Sequence, residues 1–193
     1  LLGREEASEC GAAGFKTNRV INLRSLESTT AGVLDVKISH RFGYLNGGIY
    51  DLFGLDESSV RLGADYGVSD RLTIGVGRSS YEKTYDGFIK YKLLRQSTGL
   101  KNMPVTMAIL GTAAITTLKW ADPNRDNLFS SRVAYTTQLI IGRKFSNGFS
   151  LQFSPSWVHR NLVATSAEKN DVIALGFAGR IKLNKRLSFN AEY

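Results

Sequence analysis

An all-β, up-and-down antiparallel barrel is the fold class that this sequence of 193 residues predicts, on three observations. Hydrophobicity alternates with period 2 in segments of about ten residues, the length of a tilted membrane-crossing strand. Connections between these segments are short and long by turns. No apolar run approaches the roughly 20 residues that a membrane helix needs. The 42% hydrophobic content and mean hydropathy of -0.15 are compatible with a barrel, because a lipid-facing strand needs an apolar residue only at every second position. Composition alone therefore does not separate a membrane barrel from a water-soluble β-protein.

Residues 1–14 are polar, small and unpatterned and read as a flexible extension; the barrel domain is expected over 15–193, beginning near Phe15. The clearest strand is Leu34–Phe42, where Leu34, Val36 and Ile38 alternate with Asp35, Lys37, Ser39 and Arg41. Val60, Leu62, Ala64 and Tyr66 oppose Arg61, Gly63 and Asp65; Leu72, Ile74 and Val76 oppose Thr73, Gly75 and Gly77. Val133, Tyr135, Leu139 and Ile141 form a fourth greasy face, and Phe149, Leu151, Phe153 and Trp157 a fifth. Ile173, Leu175, Phe177 and Ile181 continue the pattern, followed by Leu187, Phe189 and Ala191. Weaker strands are expected near 17–24, 85–95 and 104–117. Aromatics such as Phe42, Tyr66, Tyr91, Tyr135, Phe149 and Trp157 lie towards strand ends, where an interfacial girdle would place them.

Hairpin chemistry marks tight links at Val68-Ser69-Asp70-Arg71, Ser146-Asn147-Gly148 and Asn184-Lys185-Arg186. Long links fall between them at 44–58, 119–131 and 161–170, with a short exception at 81–84 and a long one at 96–103. The sequence stops at Tyr193 in mid-alternation, which leads us to expect about ten visible strands out of about twelve in the intact barrel.

Twenty-five Lys and Arg against 17 Asp and Glu give a net charge of +8, pointing to an anionic partner. With the apolar faces turned to lipid, the basic residues expected in the lumen are Lys37, Arg41, Arg61, Lys90, Lys92, Arg132, Lys144, Arg160, Arg180 and Lys182, and the acidic ones Asp35, Asp65, Asp86 and Glu192. Such a lumen suits a small anion-preferring pore. It equally suits side chains that cross-pair and fill a narrow barrel.

Other motifs point away from chemistry. Cys10 is the only cysteine, and the charged residues before it do not make a lipoprotein signal. Gly75-Val76-Gly77 lacks the third glycine and helix of a dinucleotide site. His40-Arg41 and His159-Arg160 repeat a pair near strand ends, yet two histidines without companion ligands make a poor metal site. No nucleophile elbow or zinc-protease motif is present, so no catalytic, cofactor or metal residues are assigned. The loop from Asn46 to Asp56 is apolar enough to fold inward as a constriction, form a short helix or dock a partner.

Several stretches resemble one family in combination: Val33-Leu34-Asp35-Val36-Lys37-Ile38-Ser39-His40-Arg41-Phe42-Gly43, Leu52-Phe53-Gly54-Leu55-Asp56 and Arg61-Leu62-Gly63-Ala64-Asp65-Tyr66-Gly67. Thr73-Ile74-Gly75-Val76-Gly77-Arg78-Ser79-Ser80, Tyr85-Asp86-Gly87 and Val158-His159-Arg160-Asn161-Leu162-Val163 continue the likeness, which runs from about Phe15 to Tyr193. They are similar to the Bacteroidota β-barrel family catalogued as domain of unknown function 5777, whose members are expected in the outer membrane. The resemblance implies fold and location but no site residues. The expectation is an integral barrel of the bacterial outer membrane, in contact with lipid and lipopolysaccharide. It acts either as a small pore for anions or as a non-conducting structural or partner-binding component of an envelope complex. The different-class alternative is a membrane-embedded lipid-modifying hydrolase. A soluble nucleic-acid binder would need a basic outer stripe with exposed aromatics, whereas here the two alternate across the sheet.

Overall fold

The computed structural model describes residues 9–10, 14–56, 58–99, 102–120, 122–163 and 165–193. Nine strands form one antiparallel sheet: β1 (Leu34–Arg41), β2 (Ser59–Gly67), β3 (Leu72–Ser79), β4 (Tyr85–Leu94), β5 (Thr106–Ile115), β6 (Val133–Lys144), β7 (Phe149–Arg160), β8 (Asp171–Lys182) and β9 (Ser188–Glu192). Among the described residues each pairs only with its neighbours in sequence, so the sheet is an up-and-down meander. Among the described residues β1 and β9 are its two edges and do not pair with each other. A separate two-residue pairing joins Glu9–Cys10 to Ser97–Thr98; the rest of the N-terminal extension before Gly14 lies outside the described residues.

The three tight links close as their side chains require. Val68, Phe145 and Leu183 donate backbone N–H bonds to the carbonyls of Leu72, Phe149 and Leu187. In each turn a short polar side chain accepts from the backbone ahead of it: Ser69 from Leu72, Ser146 from Phe149 and Asn184 from Leu187. The strands at 85–95 and 104–117 are present as β4 and β5. Pro155 has no N–H to give, and the β6–β7 ladder lapses between Gln138↔Ser156 and Ile141↔Phe153.

The expected strand at 17–24 is not one. Residues 19–24 form a tight turn, with Val20 N–H donating to Leu23 O at 2.9 Å, and the segment 14–33 runs along the concave side of the sheet. Its backbone is satisfied by wall side chains instead of a ladder: Glu192 on β9 accepts from the amides of Ile21, Asn22 and Leu23 at 3.1, 2.7 and 3.0 Å. Arg24 proves the curl. Its guanidinium meets Asp65 on β2 while its carbonyl accepts from Gln152 on β7, yet in a flat sheet those strands would lie five spacings, about 24 Å, apart.

Register divides the wall into two faces. Val36, Ile38, Leu62, Val76, Ile89 and Ile173 are exposed on the outer face. The inner face is buried where the segment covers it, with Leu26 packing among Phe88, Ala108, Leu110 and Ile140. At about 3.3 Å per residue, a 12-residue strand tilted about 40° rises about 30 Å, the thickness of a bilayer core. Outer-face aromatics gather at both rims: Tyr66, Tyr91 and Phe149 near the short turns, Tyr85, Tyr135 and Trp157 near the long loops.

Candidate functional site: a filled basic lumen

Nine of the ten basic residues named from the sequence share the inner face by strand register, as do Asp35, Asp65, Asp86 and Glu192. Arg132 instead lies in a single 3₁₀ turn before β6, donating to Thr116 O at 2.9 Å with its guanidinium 3.8 Å over the Trp120 ring. Arg41 and Lys182 sit exposed at strand ends, and Arg160 pairs loosely with Glu168 at 3.7 Å.

The buried centre is Asp65, whose Oδ2 accepts from Arg24 at 2.8 Å and from Lys37 at 2.6 Å. Arg24 comes from the inner segment and stacks 3.5 Å from the Phe88 ring centroid. Lys90, 1% exposed, points its ammonium at the carbonyls of Ser25 and Glu27, so a wall cation holds the inserted backbone. Arg61 forms a two-pronged pair with Asp86. Arg180 donates to Gly14 O at 3.0 Å. Gln152 accepts from Leu26 N–H at 3.1 Å and donates to Arg24 O at 2.8 Å, a reciprocal clasp on the two peptide units that flank Ser25. Desolvation lowers the Arg24 guanidinium against the pull of Asp65, and lowers Arg19 to about 10 with Arg24 and Arg61 pushing the same way. Arg19 stays cationic at neutral pH.

The inner glycines are fitted to the insert. A Cβ on Gly67 would collide with the carbonyl oxygen of Thr30, and one on Gly142 would meet Leu26 Cδ1 at 2.5 Å and Leu151 O at 2.8 Å. Sequence reasoning missed the segment and its anchors Arg24, Glu27, Gln152 and Glu192 acting as a set. The available signal was Asp65, a lone carboxylate in the middle of a strand rich in small residues, which called for cations beyond Lys37.

The two His-Arg pairs do not meet. His40 is on β1, edge-on to Phe42 at 4.6 Å, whereas His159 is on β7. His159 Nδ1 lies 2.8 Å from Asp171 Oδ1, and its Nε2 faces Asn161 Oδ1 at 3.0 Å where a triad would present a hydroxyl. Among the described residues no group of three His, Cys, Asp or Glu side chains is placed to hold a metal. The apolar loop forms two short 3₁₀ turns, Leu45–Gly47 and Leu52–Gly54, closed by Gly43 N–H to Gly54 O at 2.7 Å. Its Tyr44, Leu45, Ile49 and Tyr50 are exposed, so of the three readings the sequence left open the short helical turn is the one that appears, and residues 14–33, not this loop, cover the inner face.

No curated protein and no solved structure matches the chain. A family model described as a membrane-bound β-barrel domain matches residues 15–193, the region that contains both the meander and its inner segment. With alternating faces, two aromatic rims and a filled concave side already in view, the chain belongs to that family, the membrane-bound β-barrels of domain of unknown function 5777.

Proposed function

We propose that this chain is an integral barrel of the bacterial outer membrane whose lumen is closed by its own residues 14–33, a non-conducting structural or partner-binding component of the envelope. The observation that carries this is the clasp at Arg24–Glu27. One short stretch is held from β2 by Asp65, from β4 by Lys90 and from β7 by Gln152, across the width of the barrel. Four of the nine inner cations that favour an anion-preferring pore are engaged, Lys37 by Asp65, Arg61 by Asp86, Lys90 and Arg180 by backbone carbonyls. A bacterial β-barrel with two aromatic girdles suits the outer membrane, its lipid and its lipopolysaccharide. The exposed Tyr44, Ile49 and Tyr50 on a loop are the side chains that an envelope protein partner would contact. The reading assigns no covalent chemistry to the barrel.

Single-channel recording of the protein refolded into a planar bilayer tests it. The wild type should insert and stay silent, while Lys90→Met combined with Gln152→Leu should give discrete openings as the clasp fails. Steady anion-selective conductance from the wild type, weakened by neutralising Arg61 and Lys92, would overturn the closed-lumen reading in favour of the pore.

A further inference from the structure

Three cations in the described structure are buried, and two of them are accounted for: Arg24 pairs with Asp65, and Lys90 donates to two carbonyls. The third, Lys92, is 9% exposed and its ammonium has no hydrogen bond or ion pair among the described residues. It follows Lys90 on the inner face of β4, immediately before the bulge that shifts register between Lys92 and Leu94. It lines a cavity of about 410 Å³ at the short-turn rim, between the inserted segment and the wall. Arg95 and Lys144 line the same cavity, also without side-chain partners among the described residues, and Gln96 pins the Lys144 backbone through N–H and C=O at 2.9 Å each. Two carboxylates are present, Glu27 and Asp70, but Glu27 Oε1 already accepts from the amides of Gly14 and Phe15 at 2.8 and 3.2 Å. Thr29 and Ser150 add hydroxyls.

Lys92 is buried along its stem with no ion pair or hydrogen bond among the described residues, and a register shift beside it is the device by which sheets re-aim side chains at sites. We infer that this cavity is a binding site for a small soluble anion of the phosphate or carboxylate class, held by Lys92, Arg95 and Lys144. The volume is in the range of small-molecule sites and exceeds what a bare ion needs, so the anionic group belongs to a larger molecule whose hydroxyls face Glu27, Asp70 and Thr29. The site opens on the concave side and not on the lipid face, which selects a soluble ligand over a lipid headgroup.

Calorimetric titration of the detergent-solubilised full chain with inorganic phosphate, and separately with dihexanoyl phosphatidic acid, tests this. Saturable phosphate binding below about 5 mM is expected, weakened about tenfold by Lys92→Met and unchanged by Lys182→Gln, an inner cation outside the cavity. Thermal melting of each variant checks that the barrel is intact, and Lys144→Gln, at a half-buried position, supplies a second variant that should also weaken binding. Absence of saturable heat from the wild type, equal loss in Lys92→Met and Lys182→Gln, or binding of the lipid alone would each overturn the assignment. Channel recordings do not bear on this result, so failure here and failure of the closed-lumen reading are separable.

Discussion

Asp65 concentrates more of the interior electrostatics than any other residue. Removing it leaves Arg24 and Lys37 without their shared partner, and breaking a buried pair on one side costs about 3–5 kcal/mol. We expect Asp65→Ala to lower stability by about 3 kcal/mol in urea titrations of the protein in lipid vesicles, and Arg24→Met in the same background to recover part of that loss. Gly142 works by shape: Gly142→Val should push Leu26 off the wall without touching a charge. Trypsin should then cut after Arg24 about tenfold faster than in the wild type, where that residue is buried. The inward direction of Lys37, Arg61, Lys90 and Arg180 was legible in the sequence, because a period of 2 fixes the face of every residue on a strand. Lys37 and Arg61 meet Asp65 and Asp86, wall carboxylates whose inward direction the same period gives, but what Lys90 and Arg180 touch was not legible, since their partners are carbonyls of positions 14–33, a stretch with no strand partner to give it a periodicity.

Among elements, the hairpins were readable because their turns are local: Ser69, Ser146 and Asn184 each bond within three residues of themselves. The stretch 17–24 misled for the opposite reason. Val20 and Leu23 supply enough hydrophobicity for a weak strand, but the residues that satisfy its backbone, Glu192 above all, lie about 170 positions away and leave no trace in a local window. The outer strand faces carry a prediction of their own. Ile109, near the middle of β5 and turned outward, meets hydrocarbon, so Ile109→Arg should cost about 2–4 kcal/mol on folding into vesicles. A polar substitution at Thr136 on the inner face of β6 should cost far less in the same assay.

For the molecule as a whole, the two aromatic rims set its height against the bilayer. Trp157 lies on the outer face at one rim, with its indole N–H donating to Asp171 at 3.0 Å, whereas Trp120 sits in a loop beneath Arg132. In vesicles made with lipids brominated near the headgroup, Trp157 should be quenched and Trp120 should not. The variant Trp157→Phe should therefore abolish most quenching and Trp120→Phe should retain it.

The grip of Glu192 on Ile21, Asn22 and Leu23 also sets an order of events in time. The ladder contacts of the sheet join neighbouring strands and can form as each hairpin folds. This one waits for the strand most distant in sequence, so the insert cannot be fully secured until β9 has joined β8. Closure of the interior thus reports that the wall has been laid as far as β9. During refolding, protection of Arg24 from protease should lag behind the appearance of β-structure, and the lag should lengthen when Glu192→Gln weakens the final contact.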